Sequence, residues 1–553
     1  MDERQKVSDV LSLYQTMRDD RDPWEQDWKT IAQYMFPKRS LFHDTKGRYE
    51  RVGGKIYDGT AISALNILAN GLVGYMVSAG TQWFKLGTPD PELSEFGPVR
   101  RWLDNLEMVL YQMFHRSNFY EEITESFMDV GAFGTGMSFV GLNNKKKLPY
   151  YKSIHPKEMF IQDNYEGRVD TAIRRFFPTL REIAKEFGRD VLDETLLQVL
   201  EKQPYTRMEV LHMVTPREER DRSKLDTKNM PFESMYVLPE KMIILRESGF
   251  TSFPYPVVRW SVNSDETYGR GPGNDATAEV LKANQISRTL LKAGHMAVDP
   301  PLNVPEAMRN RLEWRPGGKN YYNHYESIVR PVELGQNFPI GVEREAKTRQ
   351  IIEQYFMVDF FMMLQNAPQG MTATEVIERQ TEKSAVLTPV IGRIGSEFLD
   401  PMISLTVEAA MKFGFVEPPP PEIGKVDGQI EVEYRGPLAQ AQRRFHRTHG
   451  VRQSLAVLQP MMEMNPEIAD LIDWDGLARQ NLIEEGMPAK HIKDQHDVNH
   501  ERKQRQQQQQ QMMQEQHQAE VGEKQAKALK DASQAGQGGV GEQLRNSLSG
   551  GQA

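Results

Sequence analysis

The sequence predicts an α+β protein that is predominantly helical. Several long segments place apolar residues three and four apart, the spacing of one helix face. Between residues 150 and 260 short apolar stretches alternate with turn residues instead, as strands do. No fixed-period repeat is evident, which disfavours solenoids and propellers.

The first helix is expected to start at Asp22-Pro23-Trp24-Glu25, with Asp22 as cap, Pro23 at the first helical position and Glu25 at the third. Trp24, Trp28, Ile31 and Met35 form its apolar stripe, which ends before Pro37. The apolar run from Ala61 to Gly80 approaches membrane-spanning length. Asn66 and Asn70, one turn apart, and the interruptions at Gly71 and Gly74 make it a buried core helix instead. Leu103, Leu106, Val109, Leu110 and Met113 mark another helix, and a further one runs from Tyr120 towards Val130. GAFGTGMSFVG then switches to strand-like residues, and NNKKK follows as a turn. Lys145, Lys146 and Lys147 are the densest basic run and read as a solvated hairpin tip rather than a phosphate clamp. Within the mixed region one helix is expected, Leu180 to Phe187.

Asn274 or Asp275 is expected to cap a helix on which Val280, Ala283, Ile286, Leu290, Ala293 and Ala297 keep helical spacing, up to Asp299-Pro300-Pro301. A module of about forty residues follows, punctuated by prolines and glycines, with a short helix near Ala307 to Leu312 and the strand-like YYNHYESIVRPVEL. A second helix, Gly341 to Leu364, begins polar and ends apolar all round in YFMVDFFMML. The loop LQNAPQG separates it from a restart at Thr372, where Glu375 completes a capping box and Met371 can staple onto Val376. The restarted helix carries Pro389 and Pro401, each costing about 3 kcal/mol inside a helix, so it should be kinked or segmented. A strand from Gln429 to Tyr434 precedes a helical region from about Gln440 to Asp494. From His496 onward the chain holds six consecutive glutamines and too few large apolar residues to close a core; it is disordered, or helical only in company.

Composition narrows the chemistry. With 68 Lys+Arg against 77 Asp+Glu, a net charge of -9 argues against gripping nucleic acid over the whole surface. There are no cysteines, so disulfides and zinc-thiolate sites are excluded, and a reducing compartment fits. The start, MDERQKVSDV, is too charged for a signal peptide. No phosphate-binding loop, nucleophile elbow, zincin motif or kinase set occurs, and GRGPG at Gly269 to Gly273 is a turn because its third glycine is misplaced for a dinucleotide fingerprint. His446 with His449, and His491 with His496, lack the neighbours that would complete a metal set. No catalytic residue, metal or cofactor is therefore assigned, and the chain reads as no enzyme. Carboxylates are plentiful, so a nuclease assembled from distant residues is the enzymatic alternative. Arg309, Arg311, Arg315 and Lys319 in the inserted module are balanced only by Glu306 and Glu313; they fit a contact to a partner or DNA, or a solvated helix face.

Five stretches, PWEQDWKTIAQYMFPKR, YDGTAISALNILANGLVGYMVSAGTQWFKL, FGTGMSFV, YGRGPGNDATAEVLKANQ and MTATEVIERQTEK, resemble in this order the head-to-tail connecting (portal) proteins of short-tailed bacteriophages. The resemblance covers most of the chain to about residue 440. It implies the portal fold: a wing over residues 1–273, a stem helix over 274–298, a clip over 299–340 and a second stem helix over 341–363. A tunnel loop over 364–372, a long kinked wing helix and strand over 373–439, and a helical crown over 440–495 follow. The glutamine-rich tail, 496–553, would be disordered or a coiled barrel. It further implies a homo-oligomeric ring, a dodecamer, around a channel for double-stranded DNA. The ring would sit at the head-tail vertex of the virion after assembly in the host cytoplasm. Implied partners are the terminase large subunit, tail adaptor proteins, and the major capsid and scaffolding proteins, with no membrane. Gln365, Asn366 and Gln369 would then face DNA, and their neutral amides suit a low-friction collar better than lysines, whose phosphate contacts oppose sliding. The alternative is another virion ring or internal core protein.

Overall fold

The computed structural model describes residues 3–39, 54–221, 223–224, 226–298, 302–303, 330–331, 338–365, 387–423 and 430–435, with short helical pieces between 474 and 528. The chain divides into two units, Met1–His449 and Gly450–Ala553. Within the second, Arg502 pairs with both carboxylate oxygens of Asp475.

In the first unit α1 (Glu3–Tyr34) is one helix that passes through Pro23, so the start expected at Asp22 is overturned. An interior proline removes a hydrogen bond and costs about 3 kcal/mol; tertiary contacts on both sides outweigh it. Ahead of the proline, Val7, Val10, Tyr14 and Met17 pack with Phe160, Ile173, Leu211, Met213, Met235 and Val237. Next to it, buried Arg21 donates to the carbonyls of Pro156, Lys157 and Met159 at 3.0, 3.1 and 2.9 Å. Beyond it, Trp28, Ile31 and Met35 are buried on the stripe their spacing predicts.

There follow α2 (Thr60–Met76), β1 (Phe84–Gly87), α3 (Pro91–Glu95), α4 (Gly97–Arg116) and α5 (Phe119–Phe133). α2 is a core helix with Asn66 and Asn70 on its exposed face. Among the described residues, no helix is long and apolar enough to cross a membrane.

The mixed region is two antiparallel sheets. β2 (Thr135–Asn143), β3 (Leu148–Ser153) and β9 (Val257–Arg259) form one in the order β3-β2-β9. β4 (Met159–Asp163), β5 (Val169–Phe176), β6 (Val210–Pro216), β7 (Phe232–Leu238) and β8 (Ile243–Phe250) form the other, in sequence order. α6 (Leu180–Phe187) stands where the sequence places it, behind a complete capping box of Thr179 and Glu182. α7 (Glu194–Lys202), capped by Asp193, is an additional helix.

His212 on β6 ties the two sheets together. Its Nδ1 lies 2.5 Å from the Tyr255 hydroxyl and its Nε2 3.0 Å from Ser234 Oγ, and its ring stacks on Tyr236 at 3.8 Å. Burial first, then the Arg174 and Arg246 charges, hold its pKa well below 6.5. A depressed histidine contributes stability above its unfolded pKa of 6.5 that is lost as pH falls below it. Asp129, buried and raised to about 7, acts in the opposite direction. His212→Gln is therefore expected to lose less stability than the parent from pH 6.5 to 5.5, the difference reaching up to about 1.4 kcal/mol per pH unit. Parallel stability curves for the two proteins over that range would show that His212 does not titrate on unfolding.

The remaining elements are α8 (Pro272–Val298), β10 (Leu302–Asn303), β11 (Arg330–Pro331), α9 (Phe338–Tyr355), α10 (Val358–Gln365), α11 (Asp400–Lys412) and β12 (Glu431–Tyr434). Helix 387–394 runs into α11 through a π-helical turn, Gly395–Leu399, which immediately precedes the Asp400-Pro401 step. The wider π turn lets Asp400 donate to the Gly395 carbonyl five residues back. β12 pairs antiparallel with β1, bringing residues 431–434 beside the start of the chain's core.

Arg259 joins four of these parts. It is buried, forks onto Glu397 of the π turn with two 3.0 Å bonds, and donates to the carbonyls of Gly167 and Thr267 at 2.6 and 3.2 Å.

Candidate functional site: the paired helices and their anchor

α8 begins at Pro272, earlier than the cap expected at Asn274 or Asp275. Asn274 instead reaches back, its Oδ1 accepting from Gly271 N at 2.9 Å, which is the third-residue half of a capping box. The glycines of GRGPG have a packing cause. A Cβ on Gly273 would stand 2.0 Å from the Ala132 carbonyl oxygen, and one on Gly271 2.7 Å from that of Val130. The start of α8 thus lies backbone against backbone on the end of α5, and Gly134 at the α5 terminus takes a left-handed φ of 75°.

α8 and α9 pack antiparallel. Ser287 donates to Glu345, and four residues further out Gly341 approaches Leu290 so closely that a Cβ would meet Cδ2 at 2.7 Å. At the inner end Ala276, Val280, Ala283, Ile352 and Phe356 enter the main core. At the outer end Leu291, Met296, Val298, Ile340 and Val342 are exposed. The chain between the two helices is closed by a short antiparallel ladder in which Leu302 faces Pro331 and Asn303 faces Arg330.

A polar clasp fastens this pair to the body. Asp58 is buried; its Oδ1 accepts from Thr60 N at the start of α2 at 2.9 Å, and its Oδ2 accepts from Arg349 Nε on α9 at 2.7 Å and from Ser287 Oγ on α8 at 3.4 Å. Arg349 also donates to Glu345 at 2.9 Å. Asn284 on α8 receives Tyr57 N at 2.6 Å and donates to the Lys55 carbonyl at 3.0 Å. Burial works to raise the Asp58 carboxyl, but the Arg349 guanidinium and the Thr60 donors hold it below its ordinary 3.8.

The single helix expected over 341–363 is two. α9 ends at Tyr355 and α10 begins at Val358, with Met357 at a φ of 53° between them. Such a conformation costs a non-glycine residue roughly 1–2 kcal/mol, and packing repays it. The break lays Phe361 against Gly71 of α2, where a Cβ would meet the ring at 2.2 Å, and sets Phe360 and Phe361 6.4 and 6.0 Å from the Tyr75 ring. α2 is thereby held to α8 and α9 at its start and to α10 further along.

Of the residues the sequence singles out, Gln365 is the last residue of α10. Asn366, Gln369, Arg309, Arg311, Arg315 and Lys319 lie outside the described residues, as do the Thr372 capping box, the histidine pairs and nearly all residues expected to form a crown and tail. Sequence reasoning missed Asp58, Asn284 and Arg349. Asp58, two residues before α2, carries a local capping signal, but its partner is 291 residues away and has none. Among the described residues, no group of three or more histidines and carboxylates is placed to hold a metal.

The geometry thus defines a scaffold: an α+β body carrying a clamped antiparallel helix pair with a short ladder, Leu302–Asn303 against Arg330–Pro331, between its two helices. Residues 7–492 match the family described as bacteriophage head to tail connecting protein. The chain is 33% identical over 476 residues to the "Probable portal protein" of Bordetella phage BPP-1, covering 84% of this chain and 85% of that one. It is 30% identical over 480 residues to the "Portal protein" of Salmonella phage epsilon15, again covering 84% and 85%. A chain from the virion of a native gene transfer agent particle aligns at a TM-score of 0.32 and 10% identity, over 78% of this chain and 90% of that one. The protein belongs to the bacteriophage head-to-tail connecting, or portal, protein family.

Proposed function

We propose that copies of this chain close into a ring, a dodecamer, at the head-tail vertex of the virion, with α8 and α9 as the stem around a channel for double-stranded DNA. DNA is packaged and later ejected through that channel, and the ring docks first the terminase motor and then tail adaptor proteins. Packaging energy comes from the terminase, because this chain carries no phosphate-binding loop. Gln365, the last residue of α10, forms with Asn366 and Gln369 a collar of neutral amides, and the module with Arg309, Arg311, Arg315 and Lys319 is the docking end.

The observation that carries the reading is the contrast along the helix pair. Its inner end is clamped by Asp58 and Arg349, while its outer end exposes Leu291, Met296, Val298, Ile340 and Val342. An apolar helix end on a fixed base suits side-by-side repetition, and heterologous contacts that close on themselves make a ring. Electron microscopy and light scattering of the purified full-length protein, alone and co-produced with its capsid proteins, test this. Annular particles with a central hole are expected; a monodisperse monomer under both conditions would overturn the reading.

A further inference from the structure

We infer that the hairpin tip between β2 and β3 is a second, channel-independent contact for the phosphodiester backbone of DNA. The sequence alone favours a solvated tip; the structure adds three observations.

First, the tip is built. β2 and β3 remain in register up to the pair Asn143 and Leu148, leaving a four-residue loop. Asn143 Oδ1 accepts from the backbone N–H groups of both Lys145 and Lys146 at 3.1 Å. Lys147 takes a φ of 51°, a conformation with a cost for lysine. The loop therefore presents its side chains from a defined turn.

Second, Lys145, Lys146 and Lys147 are all exposed, and no carboxylate among the described residues forms an ion pair with any of them. Most other cations of the two sheets are spoken for: Arg174 by Glu158, Arg175 by Glu209, Arg217 by Glu233, Arg246 by Glu186 and Arg259 by Glu397. Three adjacent unpaired ammonium groups repel one another, and a chain of net charge -9 supplies ample carboxylates that could have paired them.

Third, the tip has no apolar content. Asn143, Asn144 and the three lysines are polar, Leu148 is buried, and Tyr150, the next exposed ring, is laid across Gly141. A protein partner would need an apolar centre to its interface. A convex knob of point charges fits a polyelectrolyte, which offers phosphates in every orientation and is read by lysine without sequence preference.

This goes beyond the ring reading and does not depend on it. The test uses the full-length protein with a covalently closed DNA minicircle, which cannot thread a preformed ring, and follows binding from 50 to 200 mM salt. The variant combines Lys145→Ala, Lys146→Ala and Lys147→Asn, asparagine being chosen for the left-handed position. A control combining Lys185→Ala, Lys202→Ala and Lys228→Ala removes the same charge from other exposed sites. The tip variant is expected to flatten the slope of log affinity against log salt by about 2 to 3 for each engaged tip, from roughly 0.9 per phosphate contact. The control should leave the slope unchanged. An unchanged slope in the tip variant, or an equal flattening in the control, overturns the inference. The particle shape seen by microscopy reports on the ring separately.

Discussion

Arg259→Ala is expected to destabilise the first unit by about 3–5 kcal/mol, because it breaks a buried ion pair and removes a hub at the same time. The guanidinium is 2% exposed and Glu397 21%, so most of the desolvation has been spent on the arginine. Deleting it strands Glu397 with only Arg393, 3.7 Å away, and leaves the carbonyls of Gly167 and Thr267 without their donor. Arg259→Lys should fall between parent and alanine, since one ammonium keeps the charge but cannot fork onto a carboxylate and still reach both carbonyls. Urea unfolding of the full-length protein checks the order, and protease cleavage in the turn at 164–167 checks the location, because that turn loses its tie to β9. If Arg259→Ala unfolds within about 1 kcal/mol of the parent, a loss typical of one ordinary hydrogen bond, the hub assignment is wrong.

Arg349→Ala is expected to cost about 2–4 kcal/mol, and more than Asp58→Asn. The reason is the asymmetry of the pair: the Asp58 side chain is 4% exposed while that of Arg349 is 44% exposed. Removing the arginine leaves a buried carboxylate with only Thr60 and Ser287, whereas neutralising the aspartate leaves an arginine that can turn to water. Hydrogen exchange should show faster opening of the first turn of α2 and of the α8–α9 contact in Arg349→Ala, with the five-stranded sheet unchanged. The clasp is also directional in pH. Asp58 is held below its unfolded 3.8, so its stabilisation is present above about pH 3.8 and is lost as pH falls further. Equal losses in the two variants, or protection unchanged in α2, would mean that the paired helices are anchored by apolar packing alone.

The two predictions concern residues that differ in how visible they are from sequence. α6 was legible to its last residue because its capping box and its apolar spacing agree within eight residues. The NNKKK turn was legible because Asn143 organises it locally. The helix pair was legible as pattern, yet its clasp was not: an aspartate in Tyr57-Asp58-Gly59-Thr60 looks like any helix cap. The π turn ahead of Pro401 was foreshadowed only as an interruption; its Glu397 meets Arg259, 138 residues away, a contact with no local signal.

By itself, then, the chain determined the helices α2, α4, α5 and α6, the strand β12, the NNKKK turn and, through its ordered motifs, its family. Tertiary structure decided that α1 continues through Pro23, that the second helix of the pair divides at Met357, and that GRGPG lies against the end of α5. It also decided that Asp58 finds Arg349. The reason is one of magnitude and range. Caps and propensities act over a few residues at about 1 kcal/mol each. Burying aromatic rings and a guanidinium against segments hundreds of residues away sums to more than any one of those local preferences, and so overrides them where they disagree.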